Sequence, residues 1–126
     1  MKPFVITSLL TIQQLNRHWQ RHFPFLRLRI YSSLGRSLQG VQHTMPLHEI
    51  SRQVTDTRWV VVEPTMTVRA FEKLFQSKFG LRVEVLRKSG YAWDETEYTN
   101  HWTLSEQNLK GKELSAVYRS VNKRTR

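Results

Sequence analysis

The chain has no cysteine among its 126 residues. That removes disulfide bridges, thiolate nucleophiles and cysteine-based zinc sites at once, and it fits a reducing compartment. Long apolar runs are missing too, and none approaches the roughly 18 residues that a membrane-spanning helix needs. Lys2 precedes Phe4, Val5, Ile6, Leu9 and Leu10, but Thr7 and Ser8 interrupt that stretch and no small-x-small cleavage site follows. These features predict a soluble, cytoplasmic protein without a membrane partner. Gly-x-Ser-x-Gly and glycine-rich phosphate loops are absent, as are helix-turn-helix, RNP and zinc-finger patterns. Acidic residues are scarce: 10 stand against 20 lysines and arginines, a formal charge of +10.

What is present can fill a core. The apolar content is 39%, with 4 Trp, 6 Phe and 4 Tyr, in a chain the size of one ordinary domain. The positive excess is spread over both halves, with 7 basic and 2 acidic residues up to Asp56 and 13 and 8 from Thr57 onward. A surplus of this kind argues for anionic partners rather than for a fold.

The two halves resemble each other. Phe4–Leu15 aligns with Val60–Phe71 at an offset of 56, which sets Thr11 on Thr67, Leu15 on Phe71, Trp19 on Phe75 and Phe23 on Phe79. One residue of slippage then brings Leu26-Arg27-Leu28 onto Leu81-Arg82-Val83 and Ile30 onto Val85. Each copy reads as strand, helix, strand. Phe4–Thr7 and Trp59–Glu63 are the first strands, and the consecutive valines of the latter predict burial on both faces. The stripes Ile12/Leu15/Trp19/Phe23 and Val68/Phe71/Leu74/Phe75/Phe79 predict amphipathic helices begun by Thr11 and Thr67. Alternation then predicts strands at Leu26–Tyr31 and Leu81–Arg87 with one wet face. Farther on, a strand is expected at Tyr91–Asp94, a short helix from Thr103-x-x-Glu106 and a final strand at Leu114–Arg119, while 32–50 reads mostly as loop.

The run Phe79-Gly-Leu-Arg-Val-Glu-Val, Arg87-Lys-Ser-Gly90, Trp93, Trp102-Thr-Leu-Ser-Glu-Gln-Asn108 with Gly111, and His22-Phe-Pro-Phe-Leu-Arg27 before it, resembles a small bacterial family of duplicated α/β proteins. That family has no established activity, so the resemblance implies a duplicated architecture and assigns no catalytic or binding residue. The expected fold is α/β or α+β, an internal duplication of a strand-helix-strand unit. Repeats 1–56 and 57–126, the second ending in a basic tail 119–126, pack as one compact pseudo-twofold domain.

Candidate sites are few. His18 and His22 have the spacing of two metal ligands on a helix, but no acid lies on that helix, and neither they nor His43, His48 and His101 make a convincing metal set. Asp94, Glu95 and Glu97 are the one dense acidic cluster and read as a solvated loop. Arg27, Arg29 and Arg82 fall on the wet strand faces, with Arg87, Lys88, Arg119, Lys123, Arg124 and Arg126 as further cations for an anionic partner. Tyr91 and Trp93 form an aromatic patch suited to stacking or to a protein contact. The sequence therefore predicts no enzyme, metal or cofactor. It points to a basic binding or adaptor protein for RNA, DNA or a nucleoprotein. The alternative is a protein-interaction module that oligomerises or docks a partner through sheet edges or the aromatic patch.

Overall fold

The computed structural model describes residues 2–32, 34–38, 44–51 and 56–124, with side chains as far as Val117. The first half runs β1 (Phe4–Thr7), α1 (Ile12–His22), β2 (Leu26–Tyr31) and a single turn, α2 (Leu47–Ile50). The second runs β3 (Trp59–Val62), α3 (Val68–Phe79), β4 (Arg82–Ser89), β5 (Ala92–Glu95), a 3-10 turn at Glu97–Thr99 and α4 (Leu104–Arg124). The architecture is mixed α/β with two antiparallel sheets, β1-β3 and β2-β4-β5.

Local chemistry sets the helix starts. The Thr11 hydroxyl accepts the Gln14 N–H at 3.1 Å while the Gln14 side chain accepts the Thr11 N–H at 3.0 Å. Thr103 and Glu106 repeat this box at α4, both at 3.1 Å, and the hydrogen bond that the Thr103 N–H donates to it is the main cause that holds the Glu106 carboxyl below its usual range. Helix α3 starts on Thr67 and ends at Gly80, whose φ of 66° is the left-handed conformation that a Cβ disfavours.

Pairing joins the two halves. Strands β1 and β2 do not pair with each other; β1 pairs with β3, with Phe4 opposite Val62, Val5 opposite Val61 and Thr7 opposite Trp59. Strand β2 pairs with β4, with Leu28 opposite Val85 and Arg29 opposite Glu84. The start of α2 is tied to the β1–α1 turn, since Leu47 and His48 donate to Leu10 and Ser8 at 2.9 and 3.0 Å. The start of α4 is tied to the β3–α3 turn, since Leu104 and Ser105 donate to Met66 and Pro64, both at 3.0 Å.

The core lies between the helices and the sheets. Ring centroids of Trp19 and Phe71 are 4.8 Å apart and join α1 to α3, with Phe23, Phe75 and Phe79 extending the aromatic cluster. Helix α4 crosses β2 and β4 very closely. A Cβ on Gly111 would stand 2.8 Å from the Phe25 Cβ, and the Phe25 N–H donates to the Asn108 side chain at 2.9 Å.

Three expectations are corrected. The segment Leu114–Arg119 is helix, not strand, and α4 is a long helix rather than a short one. Its buried positions, Leu104, Gln107, Asn108, Gly111 and Ser115, keep a helical spacing but are mostly polar or small, so hydrophobicity alone did not mark them. Strand β3 is buried on one face only: Val60 and Val62 point inward, while Trp59 is 62% and Val61 44% exposed. The reason is that helices cover one side of a two-stranded ribbon and nothing among the described residues covers the other. The Ser32–Ile50 stretch also contains α2, although 33 and 39–43 lie outside the described residues. No helix of the described residues is long and apolar enough to cross a membrane.

Candidate functional site

Residues opposite one another in an antiparallel sheet point to the same side. With Leu28, Ile30, Val83 and Val85 on the core side, the alternate positions form the outer face of β2-β4-β5. That face carries Arg27, Arg29 and Tyr31 from β2, then Arg82, Glu84, Leu86 and Lys88 from β4, of which Leu86, opposite Arg27, is buried. Strand β5 adds Trp93 opposite Lys88 and Glu95 opposite Leu86.

The charges on this face are partly closed by neighbours. The Arg29 guanidinium meets Glu84 at 2.8 Å and Glu95 at 3.0 Å, and the hydrogen bond to Glu84 holds it above the usual arginine range. Arg82 reaches Glu84 at 3.6 Å. The Tyr31 ring lies between the two arginines, 5.6 Å from Arg29 and 5.5 Å from Arg82, and burial pushes its phenol up. Arg27 and Lys88 make no ion pair among the described residues. Of the two contacts to Arg29, the one to Glu95 is the more exposed and is the kind of pair worth about 0–1 kcal/mol.

Other expected residues lie elsewhere. Arg87 points to the opposite face, donating to Gln107 at 3.0 Å with its guanidinium 5.8 Å from the Trp102 ring. Tyr91 follows Gly90 in the β4–β5 turn and is 82% exposed, so it does not share a strand face with Trp93. Residues 119–124 continue α4 instead of forming a tail, the side chains of Arg119, Lys123 and Arg124 lie outside the described residues, and so does Arg126.

His18 and His22 are engaged structurally. His18 Nε2 donates to the Val5 carbonyl at 3.0 Å. His22 stacks on Phe4 at 3.8 Å because α1 turns it back over β1; burial, then His18 and Arg21, lower its pKa. His43 lies outside the described residues. Asp94, Glu95 and Glu97 are exposed, and no group of three or more ligating side chains among the described residues is placed to hold a metal ion.

Sequence reasoning missed a cleft of about 300 Å³ between α3 and β4. Strand β5 ends opposite Leu86, so the earlier part of β4 has a free edge there. The Glu72 carboxylate accepts the Val85 N–H at 3.2 Å, and the Thr96 hydroxyl donates to the Val85 carbonyl at 2.7 Å. Burial is the main cause that pushes Glu72 up to about 7, against the Val85 hydrogen bond. On the edge strand β2 one amide does both jobs, since Asn16 accepts from and donates to Leu28 at 2.9 and 3.0 Å. At Val85 the two jobs are divided, Glu72 taking the N–H and Thr96 the carbonyl. Compared with family models, curated proteins and solved structures, the chain has no significant match.

Proposed function

We propose that the protein is a non-enzymatic adaptor for an anionic partner, a single-stranded nucleic acid or a nucleoprotein, held across the outer face of β2-β4-β5. The observation that carries this reading is the register that gathers Arg27, Arg29, Arg82 and Lys88 around Tyr31 and Trp93. Cations track phosphates and aromatic rings stack on bases, a combination that reads a flexible strand without reading its sequence. The test is fluorescence anisotropy with labelled RNA and DNA oligonucleotides. Arg27→Glu with Lys88→Glu is expected to abolish binding, and unchanged binding refutes the reading.

A second reading, docking of a protein partner, is favoured by the β1-β3 ribbon. Val5 and Val61 face each other across it, 47% and 44% exposed, beside Trp59 at 62%. Contiguous exposed apolar side chains on an uncovered sheet are a common mark of protein contact. Under that reading Trp59→Lys disrupts the interaction and Arg27→Glu does not.

We also infer that the fold is a duplication with pseudo-twofold packing. A twofold axis requires antiparallel pairing centred on equivalent residues. Val5 faces Val61, 56 positions on, and Arg29 faces Glu84, 55 positions on; these are the two offsets of the sequence alignment. The bonds tying α2 to Ser8 and Leu10 recur at α4 with Pro64 and Met66, which supports the same origin.

A further inference from the structure

A groove of about 350 Å³ runs along the outer edge of β1, with α1 as its wall. Its floor is Val5, Thr7 and Leu10, its wall is Gln14, Arg17, His18 and Arg21, and no acidic residue lines it. Arg17 and Arg21 are exposed and make no ion pair among the described residues.

The strand edge is chemically one-sided. The Val5 carbonyl turns away from β3 to accept from His18, so the N–H of Val5 also points outward. Two residues on, Thr7 has the same orientation, and its carbonyl accepts the Leu10 N–H at 3.3 Å. Both outward carbonyls are thus occupied, while the outward N–H groups of Val5 and Thr7 have no partner among the described residues. Unspent donors and unpaired guanidiniums face the same groove.

The spacings match an extended chain. The two N–H groups are two residues apart on a strand, roughly 6.6–6.8 Å, which is the repeat of outward carbonyls in a neighbouring strand. Arg17 and Arg21 are one helical turn apart, about 5–6 Å between Cβ atoms, close to the spacing of alternate side chains on such a segment. We propose that this groove binds an acidic peptide segment in extended conformation, whose carbonyls take the Val5 and Thr7 N–H groups and whose alternate carboxylates pair with Arg17 and Arg21. The site is separate from the sheet face and does not depend on the reading given to that face.

The experiment uses a labelled peptide of alternating glutamate and valine, with its glutamine counterpart as control, read by anisotropy and by amide chemical shifts of the full chain. The glutamate peptide is expected to bind about tenfold more tightly than the control. Arg17→Glu with Arg21→Glu, both at exposed positions, removes that advantage, whereas Arg27→Glu leaves it intact. The Val5 and Thr7 amides shift on binding. Absent binding, equal binding of both peptides, indifference to the Arg17 and Arg21 changes, or shifts confined to β2 and β4 overturns the proposal. So does an oligonucleotide of equal charge that displaces the peptide and shifts the same amides.

Discussion

Glu72→Gln is expected to make the protein more stable at pH 8 and to change little at pH 4.5. Burial raises the Glu72 carboxyl from 4.5 to about 7, with Glu84 and Glu97 adding to the rise and Val85 and Arg82 opposing it. Between those two pH values the folded chain keeps a proton that the unfolded chain has released. Stability attributable to this group is therefore present below pH 4.5 and lost as pH rises through about 7. At about 1.4 kcal/mol per pH unit the upper bound is about 3 kcal/mol, and the partial exposure of the carboxyl reduces it to about 1–2 kcal/mol. Glutamine keeps the oxygen that accepts the Val85 N–H and carries no charge, so it removes the loss. The assay is a set of thermal melts of both proteins from pH 4.5 to 8. The variant should gain about 3–10 °C over the natural chain at the upper end. A difference that does not vary with pH, or a variant less stable at pH 8, refutes the reasoning.

Gly111→Ala places a methyl 2.8 Å from the Phe25 Cβ and 3.0 Å from its carbonyl oxygen. Denaturant unfolding should show a loss of about 1–3 kcal/mol, because neither atom is the far end of a flexible side chain. Thr103→Ala removes the hydroxyl that accepts the Glu106 N–H, and the same measurement should show about 1 kcal/mol lost. The fragment 1–56 contains β1 and β2, whose ladder partners are β3 and β4. Circular dichroism should find it without a cooperative transition, and a sharp melt of that fragment contradicts the pairing.

Much of the secondary structure was legible because it is local. Thr11, Thr67 and Thr103 mark helix starts with their own hydroxyls, and Leu26/Leu28/Ile30 alternate as a half-buried strand must. Sheet assignment was not legible, since nothing within β1 says that its partner lies across the chain in β3. The reach of helix α4 was not legible because its buried stripe is Gln107, Asn108, Gly111 and Ser115, the first two bonding to Arg87 and Phe25 and Gly111 closely approaching Phe25, instead of hydrocarbon. The valines of β3 were read as doubly buried, yet burial of the second face depends on how many layers the fold supplies. On the candidate site, strand alternation was enough to put Arg27, Arg29 and Arg82 on wet faces. Register was needed to add Tyr31, to set Trp93 against Lys88, and to bring Glu84 and Glu95 onto Arg29.

The most direct test of the adaptor reading is the salt dependence of oligonucleotide binding. Arg27 and Lys88 have no ion pair among the described residues, and Arg82 is held only at 3.6 Å. About two to three phosphates should therefore be engaged. At about 0.7 per phosphate on a single strand, the plot of log affinity against log salt should have a slope of about −1.4 to −2.1. Arg27→Ala should make it shallower by about 0.7. A slope near zero, or one that survives removal of both Arg27 and Lys88, would contradict the account and leave protein docking at the β1-β3 ribbon as the better reading.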